Sequence, residues 1–569
     1  MKSKELSKIF AEIADALEFK GENRFKIIAY RKASKVLDDL TDDVEVLARR
    51  GQLQAIPGIG EGISKKIEEY LTTGGMKKHK EALLGIPKDL LKLLKVQNLG
   101  PKTLALAYEK LGVRNLDDLK RVIDDGSMAD LFRMGRQRVD NIKRGIEVFV
   151  RTRERIPLFE AFEISDDIMN YLKTCPEVEK VAPAGSLRRM TETVGDIDIL
   201  ATGKDGALII DFFAKYPKTD RILASGKTRG SIVVRTGRDS RQVDLRIVPS
   251  DSYGAALQYF TGSKAHNIRL RGMAKEKGLK VSEYGVFRSN ERIAGKNEDE
   301  VYKAVGLPYI PPELREDRGE LEAALEGKLP KLVELADVKG DLHVHSTYSD
   351  GHSTIEETAQ HAKALGYEYV AICDHSKSVR YAGGLNEDRL KEQMREIEKL
   401  NDDIEGIRIL KGIEVDILGD GTLDLNHKLL EQLDIVVAAI HMGFKKNVTD
   451  RIVKAIESSC VDIIAHPTGR LISGREGYDV NLDRVIEKAK EHKKMLELNA
   501  HPDRLDLDEV HLRKAKDVGV KISIGTDAHS VADMKWMLLG IGTARRAWLE
   551  KKDIVNTASY AEMFRKHHS

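Results

Sequence analysis

Cysteine is scarce in this sequence. Cys175, Cys373 and Cys460 are spread over 569 residues and form no Cys-x-x-Cys pair. This spacing excludes a disulfide framework and a thiolate zinc knuckle, and it is typical of proteins in a reducing compartment. We therefore expect a cytoplasmic protein.

Long apolar runs and a charge of one sign are also lacking. No apolar stretch approaches the roughly 20 residues that cross a bilayer, and the N-terminus lacks the apolar core of a signal peptide, so we expect no membrane association. The chain has 94 Lys and Arg against 92 Asp and Glu. A net charge of +2 gives no general indication of a nucleic-acid partner, so DNA binding has to be argued from local motifs.

The spacing of apolar residues divides the chain into regions. Residues 1–150 show helical spacing and predict short amphipathic helices. From about residue 181, short β-rich runs predict a sheet, and a proline cluster at 308–312 predicts a linker at 316–338. The clearest runs are 6–17 and 56–71 in the helical part, and 197–201, 231–235 and 242–248 in the sheet.

Beyond Lys339, apolar strands alternate with amphipathic helices, which is the pattern of a parallel β/α fold. Seven strand candidates recur, and nearly every one ends in a polar residue that can bind a metal. Because the carboxyl ends of barrel strands meet on one rim, we expect these polar residues to converge there. The candidates begin at Leu342, Val370, Leu410, Val436, Ile463, Leu496 and Ile522.

Two glycine-containing motifs in the helical part open helices. They are IPGIGEG (56–62) and VQNLGPK (96–102). A tight hairpin of small residues can present backbone N–H groups at a helix N-terminus and bind a DNA phosphate of any sequence. Taken singly, each motif is equally well explained as an ordinary turn between helices. The candidate DNA-binding residues are Gly58, Gly60, Gly62, Asn98 and Gly100.

This pair of motifs resembles the N-terminal domains of DNA polymerase beta and its relatives. The resemblance implies all-α helix-hairpin-helix domains at 1–82 and 83–150, and it assigns Lys66 to the lysine that removes 5′-deoxyribose phosphate through a Schiff base. Lysine does this chemistry only as a free amine. Lys65 and Lys66 are equally well explained as a solvated helix face, and Gly62 stands where the family has a second lysine.

Two aspartates form the most specific motif of the first half. In GDIDIL (195–200), Asp196 and Asp198 lie two apart on a predicted strand, so both carboxylates point to one face and can bind hard cations. Asp244, on another predicted strand, is a candidate third ligand. Two cations held there would support nucleotide transfer to a primer 3′-hydroxyl. The alternative for a lone Asp-x-Asp pair is a solvated strand edge.

The run GSLRR (185–189) precedes these aspartates, and the combination resembles the nucleotidyltransferase superfamily. The motif order over residues 1–315 resembles family X DNA polymerases. The resemblance implies a palm with a mixed β-sheet at 151–255 and a small α+β, thumb-like subdomain for nucleotide selection at 256–315. It also implies a gapped or nicked DNA duplex and dNTPs as substrates, two Mg²⁺ or Mn²⁺ ions, and a monomer.

The run YFTGSKAHNIRLR (259–271) resembles the family segment that packs against the nucleotide sugar. Two positions depart from the family: Gln242 replaces an arginine and Lys264 replaces an aspartate. The nucleotide-binding residues implied by the resemblance are Gly185, Ser186, Arg189, Gly195, Tyr259, Phe260, Gly262, Asn267 and Arg271.

Histidine is concentrated at the other end of the chain, where 14 of the 16 lie beyond residue 340. Neutral core packing does not explain this concentration, whereas metal ligation by imidazole does. His343 and His345 lie on one face of a predicted strand. The run DLHVHSTYSDG (341–351), with DH (374–375), GIE (412–414), IH (440–441), AHP (465–467) and GTDAHS (525–530), resembles the PHP family over residues 339–569.

The PHP resemblance implies a distorted (β/α)7 barrel that holds up to three Mn²⁺, Zn²⁺ or Fe²⁺ ions and hydrolyses phosphoesters. One ion would be held by His343, His345, Glu414 and Asp527, a second by Glu414, His441 and His466, and a third by Asp350, His375 and His529. Asn499, His501 and Arg504 would bind the substrate phosphate.

The function expected from both resemblances is gap-filling DNA synthesis in base excision repair, coupled to a 3′-5′ exonuclease, 3′-end-processing or AP-site phosphodiesterase activity. One alternative keeps the polymerase and makes the PHP part a structural module. Another makes the chain a small-molecule phosphatase, like the histidinol-phosphate phosphatases of the PHP family. The helix-hairpin-helix pair disfavours the second alternative, because a phosphatase for small molecules does not need motifs that bind duplex DNA.

Overall fold

The computed structural model describes residues 2–38, 44–56, 59–87, 90–96, 98–131, 134–236, 239–472 and 474–563. The chain forms two compact units, Met1–Arg153 and Glu154–Ser569. None of the helices in the described part of the chain combines the length and the apolarity that crossing a membrane requires.

The first unit is built from short helices, as the apolar spacing predicts. In the first helix Leu6, Phe10, Ile13 and Leu17 recur at helical spacing and are all buried. They belong to one apolar cluster, and a second cluster lies between residues 90 and 146. The helices are α1 (Lys2–Phe19), α2 (Arg24–Asp38), α3 (Val44–Arg49), α4 (Glu61–Thr73), α5 (Lys77–Leu83), α6 (Pro101–Leu111), α7 (Leu116–Asp124) and α8 (Arg136–Glu154).

The second unit begins with a mixed five-stranded sheet in the order β2-β4-β7-β6-β5. The two central strands β4 and β7 are parallel, and the other pairs are antiparallel. Helices α9 and α11 cover one face and share its apolar core. The elements are β1 (Ile156–Pro157), α9 (Leu158–Lys173), β2 (Val178–Pro183), α10 (Gly185–Arg188), β3 (Thr193–Val194), β4 (Ile197–Gly203), α11 (Gly206–Ala214), β5 (Thr219–Ser225), β6 (Arg229–Thr236) and β7 (Asp239–Ile247).

A small α+β region follows, with a three-stranded antiparallel sheet in the order β10-β9-β8. Its elements are α12 (Tyr253–Thr261), α13 (Lys264–Glu276), β8 (Leu279–Ser282), β9 (Gly285–Arg288), β10 (Glu291–Ala294), α14 (Glu298–Val305) and α15 (Glu320–Leu325). Helix α15 lies in the segment predicted as a linker, and Leu321 and Ala324 of this helix are buried in the core of the small region.

Seven parallel strands, β11 to β17 in chain order, form the barrel that the sequence predicts. A parallel bridge between Val344 and Ala528 joins the first strand region to the last. The elements are β11 (Gly340–Val344), α16 (Ile355–Ala364), β12 (Tyr369–Ile372), α17 (Glu387–Asp403), β13 (Arg408–Asp416), α18 (His427–Leu430), β14 (Ile435–Ala439), α19 (Val448–Ile456), β15 (Ile463–Ile464), α20 (Leu482–Glu491), β16 (Met495–Asn499), α21 (Glu509–Val518), β17 (Ile522–Gly525), α22 (Met537–Arg546) and α23 (Tyr560–Met563). The predicted fold class, from helical N-terminus through mixed sheets to (β/α)7 barrel, is confirmed.

The barrel packs directly on the five-stranded sheet within the second unit. Leu505 and Leu539 of the barrel belong to the same apolar cluster as the sheet residues. The rings of Trp536 and Phe159 meet edge to face with centroids 6.2 Å apart. The barrel and the five-stranded sheet therefore share an apolar core and are joined by more than the connecting segment.

Candidate functional site

The two glycine motifs lie at helix starts in the first unit. Gly60 is the N-cap of α4 and Gly100 is the N-cap of α6, and no side chain caps either start among the described residues. Asn98 replaces a glycine and adopts a positive φ of 67°, which asparagine tolerates better than most residues. Both helix starts can therefore offer backbone N–H groups to an anion. The predicted Gly58 lies outside the described residues.

Lys66 lies one turn into α4, where its Nζ donates to the Gly62 carbonyl at 2.7 Å. The same Nζ is 5.9 Å from the centre of the Tyr30 ring. The lysine is thus close to one of the predicted phosphate-binding glycines, and its role in Schiff-base chemistry stays a prediction.

The three predicted carboxylates are brought together by the central strands of the five-stranded sheet. Asp198 on β4 is the register partner of Asp244 on β7, and Asp196 directly precedes β4. Burial and the charges of Asp244 and Asp196 raise the pKa of Asp198 to about 6, because crowded, desolvated carboxylates resist ionisation. Such a cluster fits divalent cations with oxygen ligands.

Residues around the carboxylates fix their positions. Gly185 has a φ of +60°, and a Cβ there would collide with the Asp198 carboxylate, so only glycine lets α10 start this close. The Asp244 carboxylate accepts hydrogen bonds from Ser231 Oγ and, at 3.2 Å, from Gln242 Nε2. Gln242, which departs from the family pattern, thus still contacts the third carboxylate.

A pocket in the small α+β region contains six of the predicted nucleotide-binding residues. Arg189 enters this pocket from the turn after α10. Its Nε is 2.9 Å from Glu316 Oε1, and its Nη1 donates to the Thr261 carbonyl at 2.5 Å. The pocket is lined by Arg189, Tyr259, Phe260, Thr261, Gly262, Lys264, Asn267 and Arg271.

The other predicted nucleotide-binding residues lie nearby in the chain but not in the lining of this pocket. Ser186 lies in α10, and Gly195 directly precedes Asp196. Sequence reasoning missed an ion-pair network that includes Arg188 of the same segment: Glu298 lies 2.6 Å from Arg188 and 2.7 Å from the fully buried Arg315. These partners are 110 and 17 positions apart, so no local motif indicates the pairing.

The nine predicted metal ligands of the barrel converge around Glu414, which is 1% exposed. The Glu414 carboxylate lies 2.7 Å from His375 Nδ1, 3.0 Å from His466 Nε2 and 3.3 Å from His441 Nε2. On the other side, Asp527 Oδ1 lies 3.1 Å from His345 Nε2 and 4.0 Å from His343 Nε2. The nine are His343, His345, Asp350, His375, Glu414, His441, His466, Asp527 and His529.

The side-chain atoms form three groups that overlap in part with the predicted partition among three ions. One group contains His343, His345 and Asp527, and another contains His375, Glu414 and His441. The third group joins His345 to Asp350, His375 and His529. His345 and His375 therefore each belong to two groups in this geometry, and His466 contacts Glu414 outside them.

Several buried nitrogen and oxygen atoms of this centre have no hydrogen-bond partner among the described residues. They include His343 Nε2, His345 Nδ1 and His466 Nδ1. Unpaired buried polar groups are costly unless something binds them. Mixed imidazole and carboxylate ligands fit transition-metal ions, so the residues present fit the metals of the PHP family.

The charges and pKa values of the residues at this centre also favour a bound cation. Burial alone would lower the pKa of His441, but the Glu414 and Asp416 carboxylates outweigh it and raise the pKa to about 10. Burial lowers the pKa of His345 to about 3, and the neighbouring His529 and His375 add to this effect. The cluster therefore attracts positive charge near Glu414 and offers a neutral imidazole at His345, as a cation site requires.

Two carboxylates that orient the histidines were missed. Glu497 Oε1 accepts from His343 Nδ1 at 2.6 Å, which leaves His343 Nε2 facing the cluster, and Asp416 Oδ1 lies 3.2 Å from His441 Nδ1. Carboxylates commonly fix metal-binding imidazoles in this way. The signal available was a buried acidic residue within an apolar strand, as in LELN (496–499).

The predicted phosphate-binding residues border the same centre. Asn499 Nδ2 donates to Asp527 Oδ2 at 3.1 Å, and Arg504 Nε is 3.4 Å from the same oxygen. His501 follows in the same loop, and its ring meets that of Trp536 at 4.7 Å. The loop thus contacts both the metal cluster and the packing surface of the five-stranded sheet.

Comparison with known families gives three matches. A helix-hairpin-helix domain model matches residues 1–76, a DNA polymerase beta thumb model matches 256–316, and a PHP domain model matches 341–501. The thumb match includes every lining residue of the pocket except Arg189. The PHP match includes seven of the nine converging residues of the barrel, together with Asn499 and His501.

Curated relatives cover the whole chain or single parts. DNA polymerase/3′-5′ exonuclease PolX of Bacillus subtilis (strain 168) is 38% identical over 568 residues, which cover 99% of each chain. DNA polymerase lambda of Arabidopsis thaliana is 27% identical over 55% of this chain and 62% of its own. A probable phosphatase of Thermoanaerobacter sp. (strain X514) is 33% identical over 38% of this chain and 89% of its own. The chain therefore belongs to the family X DNA polymerases that carry a C-terminal PHP domain.

Proposed function

We propose that this protein is a DNA polymerase that fills short gaps during base excision repair and that its PHP barrel is a 3′-5′ exonuclease. The observation that carries the proposal is that one compact unit holds two separate constellations. Three carboxylates of the five-stranded sheet lie beside an arginine-containing pocket of the small α+β region. Nine imidazole and carboxylate ligands converge in the barrel.

In the polymerase half, Asp196, Asp198 and Asp244 would hold two Mg²⁺ or Mn²⁺ ions. When bound, such ions neutralise charge on the phosphates and lower the pKa of the primer 3′-hydroxyl. Ser186 and Arg189 bind the triphosphate of the incoming dNTP, and arginine suits this role through paired N–H bonds to phosphate oxygens.

The remaining pocket residues select the nucleotide. Tyr259 and Phe260 pack against the sugar, while Asn267 and Arg271 contact the base pair from the minor groove. Asn267 is already fixed for this role, because its Nδ2 donates to the Tyr259 carbonyl at 2.7 Å and its Oδ1 accepts from Gln258 at 2.8 Å. A side chain held in place loses little entropy when the substrate arrives.

DNA itself is held by the helix starts of the first unit. The N–H groups behind Gly60 and Gly100 bind backbone phosphates, which fixes the duplex without reading its sequence. We place helix-hairpin-helix domains at 1–82 and 83–150, a palm at 151–255, a thumb-like region at 256–315, a connecting segment at 316–338 and the PHP barrel at 339–569. The protein acts as a monomer in this proposal.

In the barrel, the converging histidines and carboxylates would hold up to three Mn²⁺, Zn²⁺ or Fe²⁺ ions that activate water against a phosphodiester. Asn499, His501 and Arg504 bind the phosphate of the DNA 3′ end. A purely structural barrel is disfavoured by the unpaired buried nitrogen atoms of His343, His345 and His466, which packing alone does not require.

The test is an assay of the pure protein on a gapped duplex with a labelled primer, with and without dNTPs, in Mg²⁺, Mn²⁺ or Zn²⁺. We expect the primer to lengthen to the gap size with dNTPs and to shorten from its 3′ end without them. A primer that neither lengthens nor shortens with any of these metals would contradict the proposal.

A further inference from the structure

A barrel helix contacts the segment that carries the triphosphate-binding arginine. Helix α22 runs alongside Met190, the residue after Arg189, and a Cβ at Gly542 of this helix would collide with the Met190 side chain. The helix ends at Arg546. Its C-terminal residue therefore lies next to the start of the nucleotide pocket.

Arg546 makes two contacts that reach Arg189. Its Nη1 donates to the main-chain carbonyl of Arg189 at 2.9 Å and to Glu316 Oε1 at 2.9 Å. Its Nη2 donates to Glu509 Oε1 at 3.0 Å, which fixes the guanidinium from the barrel side. The Arg546 side chain is only 5% exposed, so these bonds are shielded from solvent.

Glu316 is shared between two arginines. The same Oε1 that accepts from Arg546 also accepts from Arg189 Nε at 2.9 Å. Burial alone would raise the pKa of Glu316, but the two arginines outweigh it and hold the pKa below its usual value, so the carboxylate is charged. Glu509 on the other side of Arg546 also pairs with Arg318 at 3.2 Å. The connected set of three arginines (189, 318 and 546) and two glutamates (316 and 509) therefore carries a net charge of 3 − 2 = +1.

We propose that Arg546 of the PHP barrel is a positioning residue for nucleotide binding by the polymerase, acting through Arg189 and Glu316. The inference rests on the proposed role of Arg189 as a triphosphate ligand. Arg546 holds the Arg189 main chain in place and takes up part of the Glu316 charge. Without Arg546, Glu316 neutralises Arg189, and the triphosphate meets a site with no net charge.

The test is steady-state primer extension by the full-length protein, with dNTP concentration varied. We expect Arg546→Met to raise the KM for dNTP by about tenfold, the size of one lost charge-assisted hydrogen bond. The kcat should change less, because the three carboxylates are untouched. Arg546→Lys should raise the KM less than Arg546→Met, since lysine keeps the charge but not the paired bonds.

Arg545→Met is the matched control. Arg545 is the neighbouring arginine of α22, but it pairs with Glu313 at 2.8 Å and donates to the Val333 carbonyl. It makes no hydrogen bond to Arg189 within the described part of the chain. We expect its KM to stay within about twofold of wild type, the scale of a partly exposed ion pair. The thermal midpoint and hydrolysis of bis(p-nitrophenyl) phosphate by the barrel report whether each variant is folded.

A second substitution separates positioning from simple support of the fold. Glu316→Gln added to Arg546→Met restores the net charge beside Arg189, so the KM should return towards wild type. An unchanged KM in both Arg546 variants would overturn the inference, as would an equal rise in Arg545→Met or no recovery in the double variant. If the wild type extends no primer, the proposed polymerase function fails first and the inference falls with it.

Discussion

Asp198 and Asp244 lie opposite each other on the two central parallel strands of the five-stranded sheet. Burial and the neighbouring charges raise the pKa of Asp198 to about 6. The sheet thus places two carboxylates where their mutual repulsion is costly without a cation. This relationship links the strand register directly to the proposed polymerase chemistry.

Removing two of the three carboxylates should abolish nucleotide addition. We expect Asp196→Ala with Asp198→Ala to lower primer extension by at least about 100-fold, since even indirect disturbance of a metal ligand costs up to that factor. Phosphoesterase activity should persist, because the barrel contributes its own ligands. Asp211→Ala, an exposed carboxylate on α11, is the control. Extension at a near wild-type rate by the double variant would show that the chemistry lies elsewhere.

Metal content should depend on the barrel histidines. We expect the full-length His343→Ala, His345→Ala variant to bind fewer metal ions than wild type when both are purified from Mn²⁺-supplemented medium, because both imidazoles approach Asp527. Elemental analysis of the protein measures this directly. His492→Ala, at the end of α20, should keep the wild-type content. Equal metal content in all three proteins would count against the proposed centre.

DNA binding by the helix starts should be electrostatic and independent of sequence. We expect affinity for a gapped duplex to fall steeply as salt rises from about 50 to 200 mM, with the same slope for unrelated sequences. Fluorescence anisotropy with several labelled duplexes measures both properties. Much tighter binding of one DNA sequence than of the others at fixed salt would contradict binding of DNA phosphates by backbone N–H groups.

The fully buried His266 should make the small α+β region sensitive to acid. Its Nδ1 lies 2.6 Å from Glu320 and its Nε2 lies 2.9 Å from the Tyr302 hydroxyl. Burial lowers the pKa of His266 below its usual 6.5, while Glu320 only partly opposes this. A depressed pKa means that the stabilisation is present above 6.5 and is lost as the pH falls below that value.

Thermal unfolding followed by tryptophan fluorescence measures this effect, since Trp548 lies in the same apolar cluster. The midpoint temperature of unfolding should decrease as the pH is lowered from about 7.5 to about 5.5, the range in which an ordinary histidine becomes protonated. His266→Gln should be less stable at neutral pH and should show a weaker pH dependence. A variant with the wild-type pH dependence would assign the effect to other groups.

The barrel was predictable from sequence because its strands are buried on both faces. Such strands appear as continuous apolar runs, and the polar residue at each end marks the rim. The Val370 and Val436 runs illustrate this, since they become β12 and β14 and lead to His375 and His441. The convergence of the nine candidate ligands follows from strand order alone.

The grouping of those ligands was predictable only in part. Asp350, His375 and His529 group together as the resemblance implies, but His375 Nδ1 also lies 2.7 Å from the Glu414 carboxylate. Side-chain rotamers decide this, and they depend on packing that a sequence does not reveal. Pairings at long range were equally hidden: Glu316 and Arg546 are 230 positions apart and meet only because the barrel packs on the sheet.

The most direct test of two separate active sites in one chain uses one gapped duplex with a 5′-labelled primer and three full-length proteins. Wild type should lengthen the primer with dNTPs and shorten it without them. The Asp196→Ala, Asp198→Ala variant should only shorten it, and the His343→Ala, His345→Ala variant should only lengthen it. Loss of both reactions in either folded variant, or survival of both, would contradict the account.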